Sequence, residues 1–145
     1  MPTPDTAITA IHHRTVFDSR GVETLEVDLH TPAGFSRMAA PFGAPGSRGE
    51  FEAPAYAPAG LAATRSLLET EIIPRLIGLD AADQETVDET LMEIDGTANF
   101  ERIGGNTSTV LSLAAANAAS DALGIPLYER LHTGDAWTLP LPLGN

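Results

Sequence analysis

Residues 18–28 read Asp-Ser-Arg-Gly-Val-Glu-Thr-Leu-Glu-Val-Asp, and this stretch predicts a turn that leads into a half-buried strand. Asp and Ser hydrogen-bond their own backbone and Gly tolerates positive φ, so the first four residues are typical of a turn. Leu25, Val27 and Leu29 then alternate with polar residues, which is the period-two pattern of a strand with one face in the core. The strand is predicted over residues 22–31.

Two further strands are predicted beside this one. Residues 7–17 are rich in β-branched and aromatic side chains, and residues 35–40 can return after the turn residues Thr-Pro-Ala-Gly at 31–34. Because both connections are short, we expect a three-stranded antiparallel meander. Residues 41–58 are rich in Pro and Gly and predict a long loop, and loops of that length in a compact domain are usually either functional or disordered.

The remainder of the chain predicts helices. Apolar residues recur near every 3.6 positions from Leu61 to Leu76, and Pro74 predicts a kink or a break near Ile73. Together with the strands, three or four helices in this region predict an α+β fold, in which the helices pack on one face of an antiparallel sheet.

The helix ends are predicted from capping residues. Asp80, with an acid three residues later, predicts the N-cap of a helix that runs to about Glu93. Asn106 or Thr107 can cap a third helix that runs to Leu123. Gly124 is then expected to end that helix in the left-handed conformation.

The composition fits one globular domain and excludes several kinds of chemistry. The chain has 145 residues, of which 43% are hydrophobic, and it has no cysteine, so a disulfide or a thiolate nucleophile is excluded. Its eight basic residues are all arginine, so no lysine base or Schiff base can come from it. No apolar run approaches the roughly 18 residues of a membrane span, and no secretory signal is visible, so a cytoplasmic location is expected.

The charge balance is strongly acidic. Twenty Asp and Glu residues against eight Arg give a net charge of −12. This charge repels nucleic acid and anionic membranes, so neither is expected as a partner. Two interpretations stay open: an ordinary soluble acidic surface, or adaptation to high salt, where negative charge keeps a protein soluble.

Several motifs resemble enolase sequences and occur in the order of that family. The opening stretch resembles the enolase signature Asp-Ser-Arg-Gly-Asn-Pro-Thr-Val-Glu-Val, and residues 94–97 (Ile-Asp-Gly-Thr) resemble Leu-Asp-Gly-Thr. Further resemblances lie at 41–53, 73–78, 103–106, 111–114, 126–128 and 139–145. They imply that residues 1–138 are an enolase N-terminal-like capping domain and that residues 139–145 begin the connection to a β/α-barrel domain.

The resemblance implies where the chemistry of the complete enzyme lies. In enolases the barrel supplies the carboxylates that bind magnesium, the lysine that abstracts the proton and the glutamates that assist water loss. The reaction is the reversible dehydration of 2-phosphoglycerate to phosphoenolpyruvate in glycolysis and gluconeogenesis. The 145 residues contain none of those barrel groups, so the chain alone is expected to be inactive. Its expected partner is an enolase barrel domain or a second enolase-type subunit.

The resemblance also implies roles for the loop at 41–58, which matches the mobile enolase loop that closes over the substrate. Ser47 is the best match for the loop serine that binds the second magnesium, although Pro45 could occupy that position instead. Phe42 stands where the family has its first loop serine. The residues that match the substrate loop are Gly43, Ala44, Ser47 and Gly49.

Arg20 and Glu26 match residues that form ion pairs with the partner subunit in enolase dimers. The plainer alternative is a turn arginine and a solvated strand glutamate, since exposed ion pairs contribute little. Two other functions stay open: a non-catalytic enolase-like module that pairs with a full enolase, which the altered loop favours, and a truncated product without a function of its own. His12 and His13 are adjacent on a predicted strand and point to opposite faces, so they are not expected to share a metal ion.

Overall fold

The structure of the chain is a computed structural model that describes residues 5–41, 53–134, 136–139 and 141. Three antiparallel strands form one sheet in the order β1-β2-β3, namely β1 (Ala10–Phe17), β2 (Glu23–His30) and β3 (Phe35–Ala39). The predicted meander is therefore confirmed, and each strand lies inside its predicted range. β2 is the central strand, which explains why its alternation is the clearest in the sequence.

One face of the sheet lies in the core. The side chains of Leu25, Val27 and Leu29 are fully buried under the helices. The longest helix crosses β3 closely, and the hydroxyl of Ser36 donates to the carbonyl of Ala114 on that helix at 2.7 Å. The α+β prediction, with helices on one face of the sheet, is confirmed.

The first helical segment is continuous but changes its winding. It consists of α1 (Leu61–Leu67), a π-helical turn (Leu68–Ile72) and α2 (Ile73–Leu76). The disturbance predicted near Ile73 is thus a widened turn immediately before Pro74, whose ring nitrogen has no hydrogen to donate to the preceding turn. Leu68 and Ile72 stay fully buried through this turn.

The second helix, α3 (Gln84–Asp95), begins at a different cap from the one predicted. Its N-cap is Asp83, whose carboxylate accepts the backbone N–H of Thr86 at 3.1 Å. The prediction of Asp80 was wrong because Asp80 forms an isolated β-bridge with Ala7 and accepts the Thr6 hydroxyl at 2.5 Å. The helix ends as expected at the turn residues, with Gly96 left-handed at a φ of 68°.

The third predicted helix is α4 (Gly105–Leu123), and its N-cap is Gly104. The prediction of Asn106 or Thr107 as the cap was wrong, because backbone carbonyls of another segment accept the first donors of the helix. Gly105 N–H donates to the Pro54 carbonyl at 2.7 Å. Gly124 ends α4 in the left-handed conformation, as predicted, and the short α5 (Leu127–Arg130) follows.

The core lies between the sheet and the helices. Alanines on the buried face of α4, including Ala114, Ala115 and Ala118, are 0% exposed and allow a close approach of helix and sheet. Gly34 is required at this contact, because a Cβ there would lie 2.3 Å from the Ala118 carbonyl oxygen. None of the helices in the described ranges is long and apolar enough to cross a membrane.

Candidate functional site

The predicted substrate-loop residues Gly43, Ala44, Ser47 and Gly49 lie outside the described residues. Both ends of the segment 41–58 are described, and they lie against the start of α4. The side-chain amide of Asn106 donates to the Pro41 carbonyl at 3.0 Å, and its backbone N–H donates to the Ala55 carbonyl at 3.0 Å. Both ends are therefore anchored on the same residue of the helix.

A second contact joins the same ends through β2. The Tyr56 hydroxyl donates to Thr24 Oγ1 at 2.7 Å, and the Thr24 hydroxyl in turn donates to the Ala40 carbonyl. Tyr56 is 8% exposed and Thr24 is 2% exposed, so this chain of hydroxyls lies inside the protein. These contacts are not predictable from the sequence, because Thr24 and Tyr56 carry no pattern that distinguishes them from core residues.

Arg20 lies in the tight turn between β1 and β2. Asp18 Oδ1 accepts the backbone N–H groups of Arg20 and Val22 at 2.8 and 2.9 Å, and Gly21 has a φ of 73°. The Arg20 side chain is exposed. The Asp-Ser-Arg-Gly stretch therefore forms the turn that the sequence predicts and holds the arginine at its tip.

Glu26 lies in a charged cluster on the face of the sheet opposite the helices. Arg14 Nε donates to Glu26 Oε1 at 2.5 Å, and Arg37 Nε lies 3.9 Å from the same oxygen. The Glu26 side chain is 20% exposed, so it is not a solvated strand residue. Within the described part of the chain, Glu26 forms ion pairs with Arg14 and Arg37.

Asp28 is the centre of this cluster. Arg14 donates to its two carboxylate oxygens at 3.0 Å each, and Arg37 donates to them at 2.7 and 2.9 Å. The hydrogen bonds from Arg37 and then from Arg14 hold the pKa of Asp28 well below its ordinary value, against the opposing effect of burial. The four groups carry two positive and two negative charges, so the cluster is neutral as a whole.

The strand register brings the charges of this cluster together. In the paired register, Arg14 lies opposite Glu26, and Arg37 lies opposite Asp28. Opposed residues on neighbouring strands point to the same face, so aligning the three predicted strands by their turns would have placed these charges together.

The contacts of Asp95 indicate a structural role. It is 3% exposed, and its carboxylate accepts the Thr97 hydroxyl and the backbone N–H groups of Thr97, Arg102 and Ile103, the last at 2.8 Å. Burial alone would raise the pKa of Asp95, but these hydrogen bonds outweigh it and the pKa is lowered. The nearby Glu93 pairs with Arg75 at 2.8 Å, so the two acids do not form an acid–base pair.

The histidines do not converge on a metal centre. His13 packs into the domain, with Nε2 at 3.3 Å from Glu69 Oε1, whereas His12 is exposed on the other face. His12 contacts His30 instead, with ring centroids 5.7 Å apart. Among the described residues, no group of three or more His, Asp or Glu side chains could hold a metal ion. The described residues therefore do not fit a complete magnesium site.

The fold and these contacts define a class of protein: a small α+β domain with anchored loop ends and a charged sheet face, whose described residues contain no assembled set of reactive groups. Residues 8–131 match the family model for the enolase N-terminal domain. The chain belongs to that family.

Curated relatives agree with this assignment. The chain is 45% identical over 138 residues to the enolase of Thermoplasma acidophilum, which covers 95% of this chain and 34% of the relative. It is 44% identical over 135 residues to the enolase of Archaeoglobus fulgidus, with 93% and 32% covered. It is 46% identical over 146 residues to the enolase of Halorubrum lacusprofundi, with 97% and 34% covered. The chain thus spans about a third of the length of these relatives and corresponds to their N-terminal domain.

Proposed function

We propose that the chain serves as the N-terminal domain of a phosphopyruvate hydratase, which converts 2-phosphoglycerate to phosphoenolpyruvate and water. The observation that carries this proposal is the family match over residues 8–131, supported by relatives named enolase that align with nearly the whole chain. A cytoplasmic location is part of the same proposal.

The chemistry is assigned to a barrel domain and not to these 145 residues. The chain has no lysine, and the most buried acids of the described residues, Asp28 and Asp95, already accept several hydrogen bonds each. In the proposed enzyme magnesium stabilises the negative charge that develops on the substrate, and the barrel holds most of its ligands. The contribution of this domain is the segment 41–58, including Gly43, Ala44, Gly49 and the candidate magnesium ligand Ser47.

The proposed partner is an enolase barrel or a second enolase-type subunit. Arg20 at the exposed turn and Glu26 on the open face of the sheet are the proposed contact residues. Glu26 already forms an ion pair with Arg14 of its own domain, and Arg14 also pairs with Asp28. An arginine of the partner would therefore join an existing network of charges. Such a network holds its side chains in place before association, which lowers the conformational entropy lost on binding.

The test is to express the chain and an enolase barrel separately, mix them with magnesium and follow phosphoenolpyruvate. Turnover that requires both parts supports the proposal. A second candidate function is a non-catalytic module that pairs with a full enolase, favoured by Phe42 and Pro45 at loop positions where the family pattern differs. Tight binding to an intact enolase, without turnover in the mixture with the barrel, would favour that second function.

A further inference from the structure

A cavity of about 370 Å³ opens between α3, α4 and the segment that joins these two helices. Its volume lies within the range of cavities that bind small molecules. Apolar side chains line one part of it, and a carboxylate and hydroxyl groups line the other. We propose that this cavity binds a small organic ammonium ion, with the charged nitrogen at the polar end and an apolar body at the other.

The apolar part of the cavity is formed by Leu91, Met92 and Phe100. Leu91 is buried in the core, whereas Met92 is 50% exposed, so the apolar wall extends from the core to the surface. A methionine side chain is flexible and polarisable, and it therefore adapts to the shape of an apolar ligand. This part of the cavity suits an aliphatic or aromatic body.

Phe100 lines the cavity from an unusual backbone conformation. Its φ is 57°, and among the non-glycine residues of the described ranges it is the only one with a positive φ. For an aromatic residue this conformation is strained, and strained residues cluster at ligand-binding sites. The strained backbone holds a partly exposed aromatic ring at the wall of the cavity.

The polar end of the cavity has more hydrogen-bond acceptors than donors. Gln84 Nε2 donates to Asp88 Oδ1 and to Ser112 Oγ at 3.0 Å each, whereas Gln84 Oε1 is buried and has no hydrogen-bond partner among the described residues. The Ser108 hydroxyl donates its proton to the Gly105 carbonyl at 3.0 Å, which leaves its oxygen as an acceptor. The described residues that line the cavity include one acid and no base.

These groups select an ammonium ion over other classes of ligand. An ammonium group supplies only donors, and the charge of Asp88 strengthens a hydrogen bond from it. The net charge of −12 attracts cations and repels anions. A neutral apolar ligand would leave the acceptors unpaired, and a magnesium or calcium ion requires more oxygen ligands than one carboxylate and a few hydroxyls provide.

The test is a titration of the chain at pH 7 with benzylamine, which is protonated at this pH, followed by ¹H–¹⁵N NMR. Benzyl alcohol and benzoate are the neutral and the anionic comparison. We expect benzylamine to shift the amide signals of Leu91 and Phe100 with a Kd of about 1 mM, an affinity within reach of a ligand of this size. Benzyl alcohol should bind at least about fivefold more weakly, the factor for one charge-assisted hydrogen bond, and benzoate should produce no shifts at these residues.

Asp88→Asn tests the polar end. The substitution removes the charge but keeps an oxygen that accepts from Gln84, and the affinity for benzylamine should fall about fivefold to tenfold. Glu89→Gln is the matched control, because Glu89 is the next acid along α3, is exposed and does not line the cavity. It should bind benzylamine as the parent does.

Met92→Ala tests the apolar part without disturbing the core, because Met92 is half exposed. It should weaken binding at least about threefold, the factor for roughly one buried methylene group. Leu113→Ala is its control, since Leu113 is 40% exposed on α4 but lies outside the cavity. The proposal would be overturned by no binding of benzylamine, by equal binding of benzyl alcohol, or by equal affinities of the parent and Asp88→Asn. Shifts spread over the acidic surface instead of the cavity would also overturn it.

Discussion

Arg37 Nε donates to Asp28 Oδ1 at 2.7 Å, across two neighbouring strands on the face of the sheet that the helices leave open. The Asp28 side chain is 10% exposed, which is unusual for a carboxylate on an outer face. Arg14 donates to the same carboxylate from the other neighbouring strand, so one buried acid ties all three strands together.

Asp28→Asn should destabilise the domain by about 2 kcal/mol, the scale of hydrogen bonds to a charged group. The neutral amide leaves the two guanidinium groups facing each other with less compensating charge. Glu93→Gln is the control, because Glu93 is 69% exposed and contacts Arg75 at the surface. Urea unfolding measures the difference, and an equal midpoint for Asp28→Asn and the parent would contradict the assigned role of the cluster.

The pH dependence of the same site follows from the lowered pKa of Asp28. A carboxyl whose folded pKa is depressed adds stability above its unfolded pKa of about 3.9, and loses that stability as the pH falls toward the folded pKa. The Tm difference between the parent and Asp28→Asn should therefore be constant above about pH 5 and shrink below about pH 4. A difference that grows on acidification would have the wrong sign.

His13 predicts a second pH effect, at higher pH. Burial, followed by the charge of Arg65, lowers the pKa of His13 below its ordinary value despite the opposing effect of Glu69. The unfolded chain then takes up a proton more readily, so this site favours folding above about pH 6.5 and loses that contribution below it. The parent should lose Tm between about pH 7 and pH 5.5, whereas His13→Gln should lose less. An equal loss in His13→Gln and the parent would contradict the assigned effect of His13.

Asp95→Asn should cost about 2–3 kcal/mol of unfolding free energy, because an amide cannot accept all the donors that now converge on the carboxylate. Arg102 N–H and Ile103 N–H both donate to Oδ1, and the Thr97 N–H and hydroxyl both donate to Oδ2, so two donors lose their acceptor whichever oxygen the amide nitrogen replaces. Thermal unfolding followed by circular dichroism measures the loss. A substitution that leaves Tm unchanged would show that the segment after α3 is held by other contacts.

Gly104→Ala tests the close approach of the loop end to α4. Gly104 and Gly78 have similar φ angles of 91° and 89°, but a Cβ on Gly78 would meet no atom within 4 Å. Gly78→Ala should therefore cost about 1–2 kcal/mol for backbone strain alone. Gly104→Ala should cost clearly more, because its Cβ meets the backbone of Tyr56. Equal unfolding free energies for the two variants would contradict the packed loop end.

The sequence predicts the sheet well because its signals are local. Leu25, Val27 and Leu29 alternate with polar residues within one strand. Gly96 and Gly124 end their helices because glycine readily adopts the left-handed conformation. The predictions of the two helix starts were wrong for a different reason. Asp80 and Asn106 look like caps, but distant segments provide their actual partners, the N-terminal Thr6 and the carbonyl of Pro41. The partners of Glu26 are equally distant, since Arg14 and Arg37 lie on other strands.

The most direct measurement is phosphoenolpyruvate formation from 2-phosphoglycerate with magnesium, by the purified chain alone and by the chain mixed with a separately expressed enolase barrel. We expect no turnover from the chain alone, because it has no lysine and its buried acids are held by hydrogen bonds. We expect turnover in the mixture. Measurable turnover by the isolated chain would contradict the assignment of the chemistry to the barrel.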